Sequence, residues 1–154
     1  MRMTQSMFFP LGCLVVVHLL VIVAGFIAPY NFDTQERFHS FAPPTRVHFF
    51  DSDGKFHLRP FVYAVTSAED VNQYREDHTT RYPIRFFSAG EEYWLLGIWR
   101  CRIHLFGVSD PARIYLLGAD GFGRDQLARL LYGGRISLFA GFLAASLSVL
   151  LGLV

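Results

Sequence analysis

The sequence predicts a membrane protein of the α+β class: an N-terminal transmembrane helix, a hydrophilic insert rich in β-hairpins, an interfacial amphipathic helix, and the start of a second transmembrane helix. Three observations carry this reading. All 14 Lys and Arg and all 13 Asp and Glu except Arg2 lie between Asp33 and Arg135, so both ends of the chain are free of formal charge. Each end is an apolar run near the length of a bilayer crossing. Between them, β-rich segments alternate with turn compositions.

The boundaries follow from that segregation: 1–28 for the tail and first membrane helix, 29–117 for the β-rich insert, 118–135 for the amphipathic motif, and 136–154 for the second membrane helix, within which the chain ends. Phe8 to Ala28 is 21 residues, and at about 1.5 Å per residue it spans a hydrocarbon core of roughly 30 Å. A cleaved signal peptide ranks below a membrane helix here. The run exceeds an ordinary h-region, and Ile22 and Phe26, two positions before Ala24 and Ala28, are too bulky for a cleavage site. Cys13 stands too near the start of the run for a lipoprotein site. His18 is the one ionisable side chain within the run. A hydrogen bond to a neighbouring helix satisfies it more simply than a place in a substrate path.

Pro29 to Pro44 mixes aromatics, charges and prolines without a period and reads as a linker along the membrane surface, with Tyr30 and Phe32 suited to the interfacial belt. Arg46–Phe50 and Lys55–Arg59 flank Asp51-Ser52-Asp53-Gly54 and predict a hairpin with Gly54 where positive φ is needed. Pro83–Phe87 and Tyr93–Ile98 flank Ser88–Glu92 and predict a second hairpin, the two belonging to one small sheet. Ser67 to Arg81 reads as solvated and mobile, with a short helix after Ser67 and Asp70 as a capping-box carboxylate. Asp110-Pro111 marks a turn between Ile103–Gly107 and Ile114–Leu117.

Leu117 to Leu138, LGADGFGRDQLARLLYGGRISL, is the most informative stretch. Asp120 is placed to cap a helix. Leu127, Leu130 and Leu131 fall at i, i+3 and i+4, Asp125 stands four before Arg129, and Gly133-Gly134 reads as a C-terminal stop. The product is a short amphipathic helix feeding the second apolar run, in which small residues recur every fourth position (Ser137, Gly141, Ala145) as in close helix contacts.

This stretch resembles the transmembrane subunits of binding-protein-dependent ABC importers for oligopeptides, dipeptides and nickel. In that family a pattern of the form LGTDxxGRDxxSRLLYGxRxSL precedes the second membrane helix. Leu117, Gly118, Asp120, Gly123, Arg124, Asp125, Arg129, Leu130, Leu131, Tyr132, Gly133, Arg135, Ser137 and Leu138 match it, while Ala119 replaces Thr and Ala128 replaces Ser. The resemblance implies a multi-pass permease of a bacterial inner membrane, with its N-terminus in the cytoplasm and the β-rich insert outside. It also implies a second permease subunit, ATP-binding subunits and an extracytoplasmic solute-binding protein as partners. On this reading the chain is the front portion of such a permease, truncated before the ATPase-docking loop, and carries no catalytic residue or cofactor. The alternative is a membrane-anchored extracytoplasmic interaction module without transport activity.

Other chemistries fit less well. Gly118 and Gly123 have Walker A spacing, but Arg124 and Asp125 stand where Lys and Ser or Thr are required, and Gln126 replaces the third glycine of a dinucleotide fingerprint. Gly54 comes two positions early for a calcium loop, and Val62 stands in place of its bidentate Glu. His48 and His57, expected to meet across the first hairpin, make a surface pair rather than a metal site. A net charge of +1 with both signs interspersed argues against a nucleic-acid partner, and Cys13 and Cys101 imply no disulfide framework.

Overall fold

The computed structural model describes residues 3–67 and 74–153, with side chains from Phe8 onward except that of Ser67. Helix α1 spans Met3–Ile22 and a single turn, α2, spans Ala24–Ile27. Val23, between them, keeps a backbone bond to Leu19 at 3.2 Å, so the chain changes direction without leaving the helical region. Five strands follow: β1 (His48–Phe50), β2 (Phe56–Ser67), β3 (Tyr74–Pro83), β4 (Arg85–Leu95) and β5 (Trp99–Gly107). Helix α3 then runs from Gln126 to Gly152.

The strands form two antiparallel sheets, β1-β2-β3 and β4-β5, rather than the single sheet expected from the two hairpins. The turn at Asp51–Gly54 forms as expected, closed by Asp51 N–H to the Lys55 carbonyl (3.1 Å). His57 Nε2 lies 2.9 Å from the Asp51 carboxylate, and this contact and the Lys55 and Asp53 N–H groups hold its pKa down at about 2. His48 and His57 do not meet. His48 contacts Glu76 at 3.1 Å, and each histidine has its own carboxylate partner. Part of the segment read as solvated and mobile is β3, paired along β2 from Phe61 opposite Pro83. The helix proposed after Ser67, with Asp70, lies outside the described residues.

In the second hairpin the turn is displaced from where composition put it. Ser88–Glu92 is not the turn; it lies inside β4, where pairing shifts from Ala89 opposite Ile103 to Tyr93 opposite Cys101. That shift leaves extra residues on β4, a bulge, and bulges tolerate the small and polar residues that mimic a turn signal. The real turn is Leu95-Leu96-Gly97-Ile98, closed by Ile98 N–H to the Leu95 carbonyl (3.1 Å), with φ of 55° at Leu96 and 72° at Gly97. Two positive φ values suit the right-handed twist of a tight hairpin.

The bulge has a packing role. Gly90 faces His104, and a Cβ there would stand 2.7 Å from the imidazole. His104 is buried, with Nδ1 2.6 Å from the Ala28 carbonyl and Nε2 2.9 Å from the Glu91 carbonyl, joining α2 to the second sheet.

Three apolar clusters hold the chain together. Val62, Ile84, Phe106, Ala112 and Ile114 fill the space between the sheets and the segment that follows them. Ala24, Ala28, Ala128 and Leu131 pack α2 against α3, and Leu127 touches both clusters. Ala42, Tyr115 and Ala119 form the third. Residues 29–47 are therefore more than a linker, because they supply Ala42 and Tyr30 to this third cluster.

Helix α3 passes through Gly133 and Gly134 without stopping, so the amphipathic motif and the second apolar run are one helix. A glycine inside a helix costs only about 1 kcal/mol relative to alanine, which neighbouring turns absorb. At Gly134 the missing side chain allows close approach to α1, since a Cβ would lie 3.0 Å from Val21 Cγ1.

Among the described residues α3 is the one helix long and apolar enough to cross a membrane, and nothing in its most apolar stretch is buried. Ile136 and Phe139 are 72% and 70% exposed. Burying such side chains is worth roughly 1.5–3 kcal/mol each, so a helix that leaves them all uncovered is built for a non-aqueous surround. The apolar portion of α1, Phe8–Ile22, falls short of that length.

Candidate functional site

The segment between the second sheet and α3 is a knot of backbone bonds around one carboxylate. Tyr115 and Thr45 bond to each other twice, backbone to backbone and through the Thr45 hydroxyl, both at 2.8 Å. Ala119 N–H donates to the Ala42 carbonyl (2.8 Å), Phe41 N–H to the Asp120 carbonyl (2.9 Å), and Gln126 N–H to the Gly118 carbonyl (3.1 Å). The chain thus reverses on itself, with Ala119 bridged to Asp125.

Two glycines make the reversal possible, Gly118 at φ 80° and Gly123 at φ 74°. Only glycine adopts such values without steric cost. A Cβ at Gly118 would lie 2.9 Å from the Ala42 carbonyl, and one at Gly123 would overlap the carbonyl of Glu36.

Asp120 sits inside this loop. Its carboxylate accepts from the N–H groups of Phe122 (2.9 Å) and Arg124 (3.0 Å), from Arg124 Nε (2.8 Å) and from Arg129 (2.7 Å). Burial opposes the charge, but Arg124 and the two backbone N–H groups outweigh it and hold the Asp120 pKa below the ordinary carboxylate value. Asp120 therefore does not cap the helix, as its position had predicted. A helix cap bonds only its own first turn, whereas Asp120 lies six residues ahead of Gln126 and binds a tight loop instead.

The cap is Asp125, which accepts from Leu127 N–H (3.1 Å) and Ala128 N–H (3.4 Å). At 1% exposure it is among the most buried side chains, and burial pushes its pKa up to about 6 against the pull of those two bonds. The expected Asp125–Arg129 pair is absent, because the carboxylate faces its own first turn and Arg129 reaches back to Asp120.

The remaining motif residues lie along the first turns of α3. Tyr132 packs on Phe32 with ring centroids 4.8 Å apart, and its hydroxyl is 2.9 Å from where a Gly25 Cβ would stand. Leu131 is buried against α2, whereas Leu130, of the same predicted face, is 63% exposed. Gly133 and Arg135 turn to the groove between α1 and α3. Thus Gly118, Asp120, Gly123, Arg124, Asp125 and Arg129 form one structural unit, while Tyr132, Gly133 and Arg135 lie beyond it along the helix.

Sequence reasoning passed over the residues that brace this unit from outside. Arg113 pairs with Glu36 at 2.7 Å and lies 5.0 Å over the Tyr30 ring, and the Ile114 N–H donates to the Tyr30 hydroxyl (3.0 Å). Burial pushes the Tyr30 pKa up to about 12. No local pattern marks these residues, since Arg113 and Glu36 are 77 positions apart. Among the described residues no group of three or more His, Cys, Asp or Glu is placed to hold a metal.

A stretch of 44 residues, 29% of this chain, is 58% identical to a dipeptide transport system permease protein of Haemophilus influenzae, of which it covers 14%. Putative peptide transport system permease proteins of Brucella suis and Brucella abortus are each 46% identical over 44 residues, 15% of their length. The matched stretch thus spans about one seventh of these relatives. No family model matches the chain. No solved structure matches it significantly. These short similarities support a permease family and a membrane location.

Proposed function

We propose that this chain is part of the membrane-spanning permease of an ABC importer for peptides or similar solutes, with α1 and α3 in the bilayer and the two sheets on the outer side. The observation that carries the proposal is the 44-residue similarity to peptide permeases, held by a chain whose α3 leaves its apolar surface uncovered. In this reading the chain performs no bond chemistry. ATP is hydrolysed by partner subunits, a solute-binding protein delivers substrate at the outer face, and a second permease subunit completes the path. N-terminal placement in the cytoplasm follows from crossing once before the sheets.

The loop around Asp120 then has a mechanical role. It ties the first turns of α3 to Glu36, Ala42 and Phe41, so a displacement of α3 is shared by the outer segment instead of being absorbed in a slack linker. The sheets ride on the same unit through His104 and Leu127.

Affinity purification of the tagged chain from detergent-solubilised membranes of its own cells tests the proposal. An ATP-binding cassette subunit and a second permease are expected in the purified complex. A complex that contains an extracytoplasmic partner and lacks any ATPase would overturn it in favour of an anchored interaction module.

A further inference from the structure

Between α1 and the first half of α3 lies an open groove of about 1000 Å3. Its walls are Val21 and Ile22 on α1 and Ile136, Phe139 and Leu143 on α3. The charged side chains that reach it are Arg129 and Arg135, and no carboxylate lines it. Arg129 is neutralised by Asp120, whereas Arg135 makes no ion pair among the described residues. The groove is therefore apolar along its length and cationic at one end.

The level of that cationic end in a bilayer is fixed by two neighbours. Arg135 is the last charged residue before the uncharged run that begins at Ile136. Beside it is the tip of the β4–β5 hairpin, where a Cβ on Gly97 would stand 4.0 Å from an Arg135 guanidinium nitrogen. That tip exposes Trp94, Leu96, Ile98 and Trp99. Tryptophans concentrate at the level of lipid headgroups, and arginines near helix ends extend their charge to the same level. Phosphate and guanidinium are thus brought to one height, with hydrocarbon below.

We infer that the α1–α3 groove is a binding site for one anionic phospholipid, whose phosphate pairs with Arg135 while an acyl chain lies against Ile136, Phe139 and Val21. An apolar helix in the same groove would cover the walls but leave Arg135 without a counter-charge at a desolvated edge, which is costly. The headgroup supplies that charge, and guanidinium forks match phosphate oxygens in a bidentate manner. Gly133 lines the groove with open space within 4 Å of any added Cβ, leaving room for the chain at the level just below the headgroup.

The inference rests on α3 lying in a bilayer but not on transport. The full chain, reconstituted from detergent into vesicles of phosphatidylcholine with phosphatidylglycerol, is first floated on a density gradient. Failure to float contradicts the membrane reading itself and removes the lipid site with it. Floating chain is then re-extracted, and its retained lipid is identified by native mass spectrometry. Retention of phosphatidylglycerol over phosphatidylcholine by roughly fivefold is expected, the factor one basic residue contributes at an anionic surface. Arg135→Gln should abolish the preference, and Gly133→Leu, which fills the groove and favours helix, should reduce retention of both lipids. Equal retention of the two lipids, a preference that survives Arg135→Gln, or a Phe139→Cys crosslink between two copies of the chain in place of lipid would each overturn the assignment.

Discussion

Replacing Gly123 by valine is expected to destabilise the folded chain by about 3 kcal/mol, the largest effect of any single substitution in the loop. Two costs combine. A β-branched residue at φ 74° is a backbone outlier, and its Cβ would overlap the Glu36 carbonyl, which is main chain and cannot swing aside. Gly133→Ala provides the contrast. It lies in helix interior with open space around it, and alanine there is expected to stabilise by about 0.5–1 kcal/mol. Unfolding of the detergent-solubilised chain, followed by tryptophan fluorescence, separates the two. Similar midpoints for both variants would mean that the loop does not close on residues 36–42.

Asp120→Ala is expected to cost about 2–3 kcal/mol, below the figure for a fully buried ion pair because the Arg124 and Arg129 side chains are 26% and 41% exposed. The loss comes from two guanidinium groups and two backbone N–H groups deprived of one acceptor. Asp120→Asn keeps an oxygen for the backbone donors and should cost only about 1 kcal/mol. The pH dependence follows from the direction of the shift. A carboxyl whose folded pKa is lowered contributes stability that is present above its unfolded value, about 4, and is lost as pH falls through the folded pKa. Acid should therefore narrow the gap between the unaltered chain and Asp120→Asn, and a gap that widens on acidification would contradict the arrangement.

Local pattern and long-range contact contributed differently to what the sequence made legible. Charge segregation marked both apolar helices, and Asp51–Gly54 marked its hairpin because a tight turn is encoded within four residues. Ser88–Glu92 misled, since a bulge and a turn favour the same small and polar residues, while Leu95–Ile98 looked like strand because its exposed apolar side chains carry no turn signature. Gly133-Gly134 misled for a related reason: a pair that ends a helix in water is tolerated inside one that packs closely on a neighbour.

At the candidate site the motif residues were legible and their partners were not. Asp120 and Asp125 exchanged their expected roles because the loop folds back on residues 36–42, a contact that no window of sequence around the motif contains. The same holds for His104, whose partners Ala28 and Glu91 lie 76 and 13 residues away.

The central claim is that α3 lies in the bilayer while the sheets face the outside of the cell. Single cysteines at Thr80, exposed on β3, and at Leu147, on the apolar surface of α3, placed in a chain lacking Cys13 and Cys101, report this through a membrane-impermeant maleimide added to intact cells. The account predicts labelling of Thr80→Cys and protection of Leu147→Cys until the membrane is dissolved. Labelling of Leu147→Cys in intact membranes, or of Thr80→Cys only after the cells are opened, would contradict it.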